Sequence, residues 1–295
     1  MTTPDQFDAV SEPASPPRVR PGVVPALAVF VVYLLAILGL MQLFASDVAY
    51  TDFVASSENF RDGVVLPIGV VSVLLALVTS YFGWWKPVLF ERRTLPGWLM
   101  LWPVLAIVSM IVNIAVDSDQ WDTGFLLLLF VGFALVGFSE ELMTRGLLLI
   151  GARSQYRELW AWLISTVCFG LMHSLNAFLG QDLGTTAVQV LSTLGSGTLL
   201  YFARRIGGTI LLPMAMHALF DTTLIVHAGP AAEMNAQTAS PAVGAVIFQI
   251  LGVLFLLIAL FKRYLTRTNP GPEIEPLLTA YDAHHHSAGE AEHTG

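Results

Sequence analysis

The chain has 295 residues, of which 55% are hydrophobic and only 12% are charged, and its formal net charge is −8. Soluble domains carry about 25% charged residues, so this composition excludes an ordinary soluble globular protein. The acidic residues lie mostly in short loops and in the C-terminal tail, a pattern that predicts no nucleic-acid partner. The single cysteine, Cys168, excludes an internal disulfide.

Residues 1–21 are polar and contain several prolines, which predicts a disordered N-terminus. Eight apolar segments follow, each close to the roughly 20 residues that a helix needs to cross a bilayer. Their predicted limits are 22–45, 64–83, 96–116, 123–152, 159–179, 184–203, 207–227 and 241–261. The sequence therefore predicts an all-α, polytopic membrane helical bundle with a membrane domain at residues 22–265.

Residues 266–295 are polar and are predicted to form a disordered tail. Its histidines are His284, His285, His286 and His293. A histidine-rich tail can bind metal, but the polar composition favours a disordered segment without a specific ligand.

The basic residues predict an orientation in the membrane. If the N-terminus is cytoplasmic and the eight spans alternate, Arg61 alone falls in an external loop and Arg145 falls within a span. Every other Lys and Arg then lies in a cytoplasmic segment, as the positive-inside rule requires. We therefore expect a multi-pass protein of a bacterial plasma membrane with cytoplasmic N- and C-termini.

The fourth span carries charges that are costly within a bilayer. Ser139–Gly146 reads SEELMTRG, with adjacent carboxylates at Glu140 and Glu141 and a guanidinium at Arg145. Ionisable groups at this depth are candidates for function because burying a charge in lipid costs several kcal/mol. Glu141 and Arg145 are four residues apart and can pair on one helix face, whereas Glu140 points elsewhere. The sequence predicts a structural Glu141–Arg145 ion pair and leaves Glu140 free for chemistry.

Two later spans carry further polar groups at a similar depth. One contains His173 and the other contains His217 and Asp221. At 1.5 Å per residue, these groups and Glu140 lie roughly 15–21 Å from the cytoplasmic ends of their helices. A single intramembrane histidine is often a packing residue, and Asp221 could simply orient His217, because i and i+4 share a face. The common depth of all four groups favours a site.

These residues resemble the three motifs of the CPBP family, the CAAX-protease and bacteriocin-processing intramembrane endopeptidases. The motifs are Glu140-Glu141-x-x-x-Arg145, Phe169-x-x-x-His173 and His217-x-x-x-Asp221, in that order. The resemblance covers residues 123–227, and the first three spans carry no motif. It implies a helical bundle with an intramembrane cavity open to the cytoplasm, and hydrolysis of peptide bonds.

Peptide hydrolysis needs an activated water, a stabiliser for the oxyanion and a proton donor for the leaving amine. On this reading Glu140 is the base, His173 holds the same water and His217 donates to the oxyanion. Many relatives have Asn at the position of Asp221, so we expect Asp221 to orient His217. Glu141, Arg145 and Phe169 support the site, and no cofactor is expected. The expected substrate is a peptide or membrane-protein terminus presented from the cytoplasm.

Two alternatives use the same residues. Two histidines and a glutamate can bind catalytic zinc, although the sequence contains no HExxH motif. A scaffold, immunity protein or proton-coupled carrier could also bury these carboxylates, but a carrier would be expected to show internal repeats, and none is found. The oligomeric state stays open.

Overall fold

The computed structural model describes residues 16–93, 95–231, 233–234 and 274–293, with side chains described as far as 286. Within these ranges every regular element is a helix. The nearest approach to a strand is an isolated antiparallel bridge between Phe90 and Thr209. The predicted all-α class is therefore confirmed for this part of the chain.

The helices are numbered in chain order, and two pairs of neighbouring helices are joined through π-helical segments, Arg61–Val65 and Leu142–Leu148. They are α1 (Val23–Ala45), α2 (Ser57–Phe60), α3 (Leu66–Phe82), α4 (Trp85–Leu89), α5 (Leu101–Asp117), α6 (Thr123–Glu141), α7 (Leu149–Arg153), α8 (Glu158–Met172), α9 (Leu175–Phe178), α10 (Leu183–Gly207), α11 (Leu211–Ala228) and α12 (Glu275–His293).

Six of the described helical stretches are long and apolar enough to cross a membrane. They are Val23–Ala45, Ser57–Phe82, Gly97–Gln120, Thr123–Arg153, Glu158–Phe178 and Leu211–Ala228. The predicted span 184–203 corresponds to α10, which has 25 residues but many Thr, Ser and Gly side chains. The predicted span 241–261 lies outside the described residues. The count of eight spans therefore stays a prediction.

The outer helices present apolar side chains where lipid would lie. Val32 and Leu35 of α1 are each 65% exposed, and Leu105 of α5 is 57% exposed. In contrast, α6 and α11 pack along each other at the centre of the bundle, and α10 packs along α8. Gly137 makes the central contact possible, because a Cβ at this position would lie 2.7 Å from the Met214 carbonyl oxygen. Gly132 similarly allows the Phe60 ring to approach α6.

One end of the bundle, which we call the arginine end, gathers the segments 18–22, 83–93, 153–158 and 204–210. The Trp84 indole donates to the Val19 carbonyl at 2.9 Å, and the Glu91 backbone N–H donates to the Gly208 carbonyl at 3.0 Å. Gly208 ends α10 in the left-handed conformation, with φ 71°. These contacts join the loops at this end.

A cluster of buried ion pairs, the arginine-end cluster, joins these loops further. Arg153 donates to Glu91 at 2.7 Å and to Glu158 at 2.5 Å, while Arg204 donates to Glu91 at 2.9 Å. Its members are Glu91, Arg153, Glu158, Tyr201, Arg204 and Arg205.

The opposite end, which we call the acid end, gathers the segments 46–62, 117–122, 173–182 and 228–234. The Tyr50 N–H donates to the Leu179 carbonyl at 2.9 Å, and the Met234 N–H donates to the Thr51 carbonyl at 2.9 Å. Asp122 and Asp182 cap the first turns of α6 and α10 with their side chains. The two ends therefore differ in charge, as the sequence predicts.

The C-terminal tail, for which the sequence predicts disorder, contains α12 among its described residues. Asp282 of α12 accepts hydrogen bonds from Arg20 at 3.0 and 3.3 Å. Both side chains are about half exposed, so this ion pair contributes little to stability. Most of the predicted disordered N-terminus, residues 1–15, lies outside the described residues.

Candidate active site

The acid pair lies where α6 widens into a π-helical segment, Leu142–Leu148. π turns within α-helices are rare and occur frequently at functional sites. The Thr144 hydroxyl donates to the Glu140 carbonyl at 2.6 Å, which satisfies one backbone group at this junction. The Glu141 side chain is fully buried, whereas the Glu140 side chain is 16% exposed. The two carboxylates therefore have different surroundings.

The predicted ion pair between Glu141 and Arg145 forms within the bundle, and both side chains are 0% exposed. Arg145 donates to Glu141 at 2.7 Å, to the Thr144 hydroxyl at 2.9 Å and to the Gly197 carbonyl of α10 at 2.8 Å. Its guanidinium carbon lies 4.0 Å from the centre of the Phe169 ring. Arg145 thus connects three helices and neutralises one of the two acids.

His217 lies among three carboxylates. Its Nδ1 is 3.1 Å from Glu141 Oε1, the oxygen that also accepts from Arg145. Its Nε2 is 3.4 Å from Asp221 Oδ2 and 3.8 Å from Glu140 Oε2. Each ring nitrogen therefore has an acceptor nearby, and the ring orientation is fixed from both sides.

His173 directly follows α8 and is oriented by its own helix. Its Nδ1 lies 2.9 Å from the Phe169 carbonyl oxygen. Because a carbonyl oxygen can only accept, Nδ1 must carry the proton, and this leaves Nε2 with a lone pair. The Phe169 ring packs edge-on against both His173 and His217, with ring centres 5.2 and 5.6 Å apart. Phe169 thereby spaces the two histidines.

A cavity of about 890 Å³, including the part open to solvent, adjoins these groups. All four predicted catalytic side chains line it: Glu140, His173, His217 and Asp221. The Glu140 Oε2 atom is buried and has no hydrogen-bond partner among the described residues. A buried carboxylate oxygen without a partner is costly, so its position beside a cavity fits a site where water or a ligand binds.

Part of the cavity wall was not predicted from the sequence. Tyr50, Asn176 and Gln189 bring polar groups to an otherwise mainly apolar lining, and the Asn176 amide donates to Gln189 at 2.9 Å. Asn176 could have been noticed because it follows His173 by three residues. Tyr50 and Gln189 carry no comparable signal, because Tyr50 is placed by loop contacts at the acid end and Gln189 by the packing of α10.

The residues fit a zinc site poorly. Among the described residues, no group of three His, Cys, Asp or Glu side chains is placed to hold one metal ion. His217 has carboxylate oxygens next to both of its nitrogens, and His173 has one nitrogen bonded to its own helix. We therefore derive no step through a metal.

Residues 122–223 match the family model described as type II CAAX prenyl endopeptidase Rce1-like. No curated protein matches the chain. With six helices apolar enough to cross a bilayer, the chain is a multi-pass membrane protein. This match includes all three motifs, and it confirms their resemblance to the CPBP family of CAAX proteases.

Proposed function

We propose that the protein is an intramembrane endopeptidase that hydrolyses peptide bonds with a water activated by Glu140, without a metal. The observation that carries this proposal is the unpartnered, buried Oε2 of Glu140 at the wall of the cavity. Glu141, its neighbour, is already bonded to Arg145 and His217. Both of these bonds use Oε1 of Glu141, and its Oε2 is also unpartnered among the described residues, but Glu141 does not line the cavity. Glu140 is therefore the carboxylate with an unpartnered oxygen where water or a substrate can bind.

In the proposed first step, Glu140 accepts one proton of the water while the other hydrogen is directed to Nε2 of His173. The water oxygen forms a bond with the scissile carbonyl carbon, and the carbonyl oxygen becomes an oxyanion. His217 donates from Nε2 to this oxyanion, which preorganises the charge stabilisation that peptide hydrolysis needs. Asp221 and Glu141 hold the His217 ring in the orientation that this donation requires.

In the second step, the carbon–nitrogen bond breaks and Glu140 returns its proton to the leaving amine. The products are a carboxylic acid and an amine, and Glu140 is again a carboxylate. Arg145 and Phe169 support this chemistry by position: Arg145 bonds Glu141, and Phe169 spaces the two histidines. Substrates are proposed to be peptides or segments of membrane proteins within a bilayer.

The test is cleavage profiling of a peptide library with the purified protein in detergent, read by mass spectrometry. We expect wild-type protein to cut peptides with and without a chelator, and Glu140→Gln to cut none detectably. Glu58→Gln is a matched control, because the Glu58 side chain is 77% exposed and does not line the cavity. Activity that disappears with the chelator and returns with zinc would contradict the metal-free mechanism. No cleavage by wild-type protein would favour the scaffold alternative.

A further inference from the structure

Three polar side chains of the cavity wall have no role in the proposed reaction. Apart from the four predicted catalytic groups, the described residues that line the cavity are apolar except for Tyr50, Asn176 and Gln189. Tyr50 is 7% exposed and Gln189 is 3% exposed. Burying polar groups costs free energy unless they are hydrogen-bonded. These three residues, which we call the amide cluster, therefore need partners in one another or in a ligand.

The amide cluster is built from three elements that meet at the cavity. The Asn176 amide donates to Gln189 Oε1 at 2.9 Å, which joins α9 to α10. Burial raises the pKa of the Tyr50 hydroxyl, and hydrogen bonding with Gln189 and Asn176 opposes that rise. The loop that carries Tyr50 is held by its backbone N–H, which donates to the Leu179 carbonyl at 2.9 Å. The cluster is therefore one connected polar patch in a mainly apolar wall.

Asn176 lies one helical turn after His173, and its backbone is held there on both sides. Its N–H donates to the His173 carbonyl at 3.1 Å, and its carbonyl accepts from the Gln181 N–H at 3.0 Å. A side-chain amide has two N–H hydrogens, and the bond to Gln189 occupies one of them. Because the Asn176 side chain is only partly buried and lines the cavity, it can donate to a second acceptor there.

An extended peptide in the cavity brings the complementary groups. Each peptide unit carries a carbonyl acceptor, and leaving it without a partner away from water costs free energy. Leu175 and Leu179 lie on either side of Asn176 in the sequence and also line the cavity. The wall around this amide thus fits a backbone carbonyl that is flanked by apolar side chains.

We propose that Asn176 binds the peptide substrate by donating to a backbone carbonyl next to the scissile bond, and that Gln189 and Tyr50 hold the Asn176 amide in position. The substrate class is an extended peptide segment with apolar side chains at this place. The inference rests on the proposed hydrolase function, since it takes the substrate to be a peptide. It differs from the oxyanion role of His217, because Asn176 acts on the bound substrate before the reaction as well as during it.

Steady-state kinetics on a peptide from the cleavage profile test the role of Asn176. Asn176→Leu should raise KM about tenfold and leave kcat within about twofold, because the lost hydrogen bond is made in the ground state and the transition state alike. Asn113→Leu is the matched control, because the Asn113 amide is also partly buried, donates to the Ser109 carbonyl within α5 and does not line the cavity. An unchanged KM in Asn176→Leu, or a loss confined to kcat, would overturn the proposal.

Gln189→Leu tests the positioning role. It should raise KM by less than Asn176→Leu does, because Asn176 is still present. The double variant should be no worse than Asn176→Leu alone, because Gln189 acts through Asn176. Losses that add in the double variant would contradict this role. Since Gln189→Leu keeps Asn176, its KM also tests the proposal if Asn176→Leu does not fold.

Binding without hydrolysis separates this inference from the proposed function. A peptide library that carries a benzophenone group is photo-crosslinked to Glu140→Gln protein, with and without Asn176→Leu, and the crosslinks are measured by mass spectrometry. Below saturation, we expect Asn176→Leu to lower the yield of crosslinks to cavity residues about tenfold. Equal yields would overturn the binding role of Asn176. Crosslinking that depends on Asn176, together with no cleavage by wild-type protein, would count against the hydrolase function alone.

Discussion

The bundle buries two clusters of acids and bases, and they differ in how fully the acids are paired. In the arginine-end cluster, Glu158 accepts from Arg153, from Arg205 and from the Tyr201 hydroxyl. Glu91 accepts from Arg153 and Arg204 on Oε2, and its Oε1 has no hydrogen bond among the described residues but faces the Arg205 guanidinium at 3.6 Å. In the candidate site, three carboxylates share one guanidinium and one imidazole, and within the described part of the chain one oxygen each of Glu140 and Glu141 has no hydrogen-bond partner.

This difference separates a structural role from a chemical one. A buried acid that is surrounded by guanidinium groups has no capacity left for a substrate, and its removal leaves buried cations without partners. An acid with an unpartnered oxygen at a cavity can accept a proton from water. The variants below test whether the two clusters respond in these different ways.

The largest expected effect is on activity at the candidate site. Glu140→Gln should reduce peptide hydrolysis by about 10²–10⁴-fold, because the amide keeps the shape but cannot accept the proton of the water. Peptide cleavage rate and apparent melting temperature in detergent measure the two effects separately. We expect the melting temperature to stay close to that of the wild type, and a large drop would show that Glu140 is structural like Glu91.

The second largest effect is expected on stability, when the Arg145 guanidinium that joins the site to α10 is removed. Arg145→Ala should destabilise the protein by about 3–5 kcal/mol, because it leaves Glu141 buried with His217 as its one remaining partner. Folded yield and thermal unfolding in detergent are the measurements, with the exposed Arg157→Ala as the matched control. Wild-type stability of Arg145→Ala would contradict the structural role of this pair.

A smaller, pH-dependent effect is expected for the arginine-end cluster. Burial raises the pKa of Glu91, but the guanidinium groups of Arg153, Arg205 and Arg204 lower it by more, to well below the usual 4.5. A carboxylate with a depressed pKa stabilises the folded state above its unfolded pKa, and this contribution is lost as the pH falls.

Glu91→Gln should therefore lower the melting temperature near neutral pH by the equivalent of about 1.5–3 kcal/mol, while leaving the residual rate per folded molecule nearly unchanged. The difference from wild type should shrink as the pH falls below about 4.5. A difference that is the same at all pH values would show that the charge of Glu91 is not what stabilises this end.

The smallest effect is expected for Asp221→Asn. The amide oxygen can still accept from Nε2 of His217, now 3.4 Å away, and the amide N–H can donate to an oxyanion. We expect cleavage within about tenfold of wild type, in contrast to the loss in Glu140→Gln, where a proton acceptor is removed. A loss as large as that of Glu140→Gln would make Asp221 a proton acceptor in the reaction.

Local features of the sequence were sufficient to predict part of this arrangement. The Glu141–Arg145 pair depends only on helical spacing, and the pair forms as expected. Its second partner, His217, lies 76 residues away, so no local rule could assign it. The π-helical segment after the acid pair was also not predicted, because its wider turn depends on packing against neighbouring helices and not on residue type.

The sequence by itself determined the helical class, the charge difference between the two ends and the three motifs, because each depends on residue type and spacing along one helix. It assigned Arg153, Arg204 and Arg205 to cytoplasmic segments, but only the tertiary structure buries them around Glu91 and Glu158. The tertiary structure also decided which residues outside the motifs line the cavity. Their place follows from how elements distant in sequence pack together, and residue spacing within one helix carries no information about it.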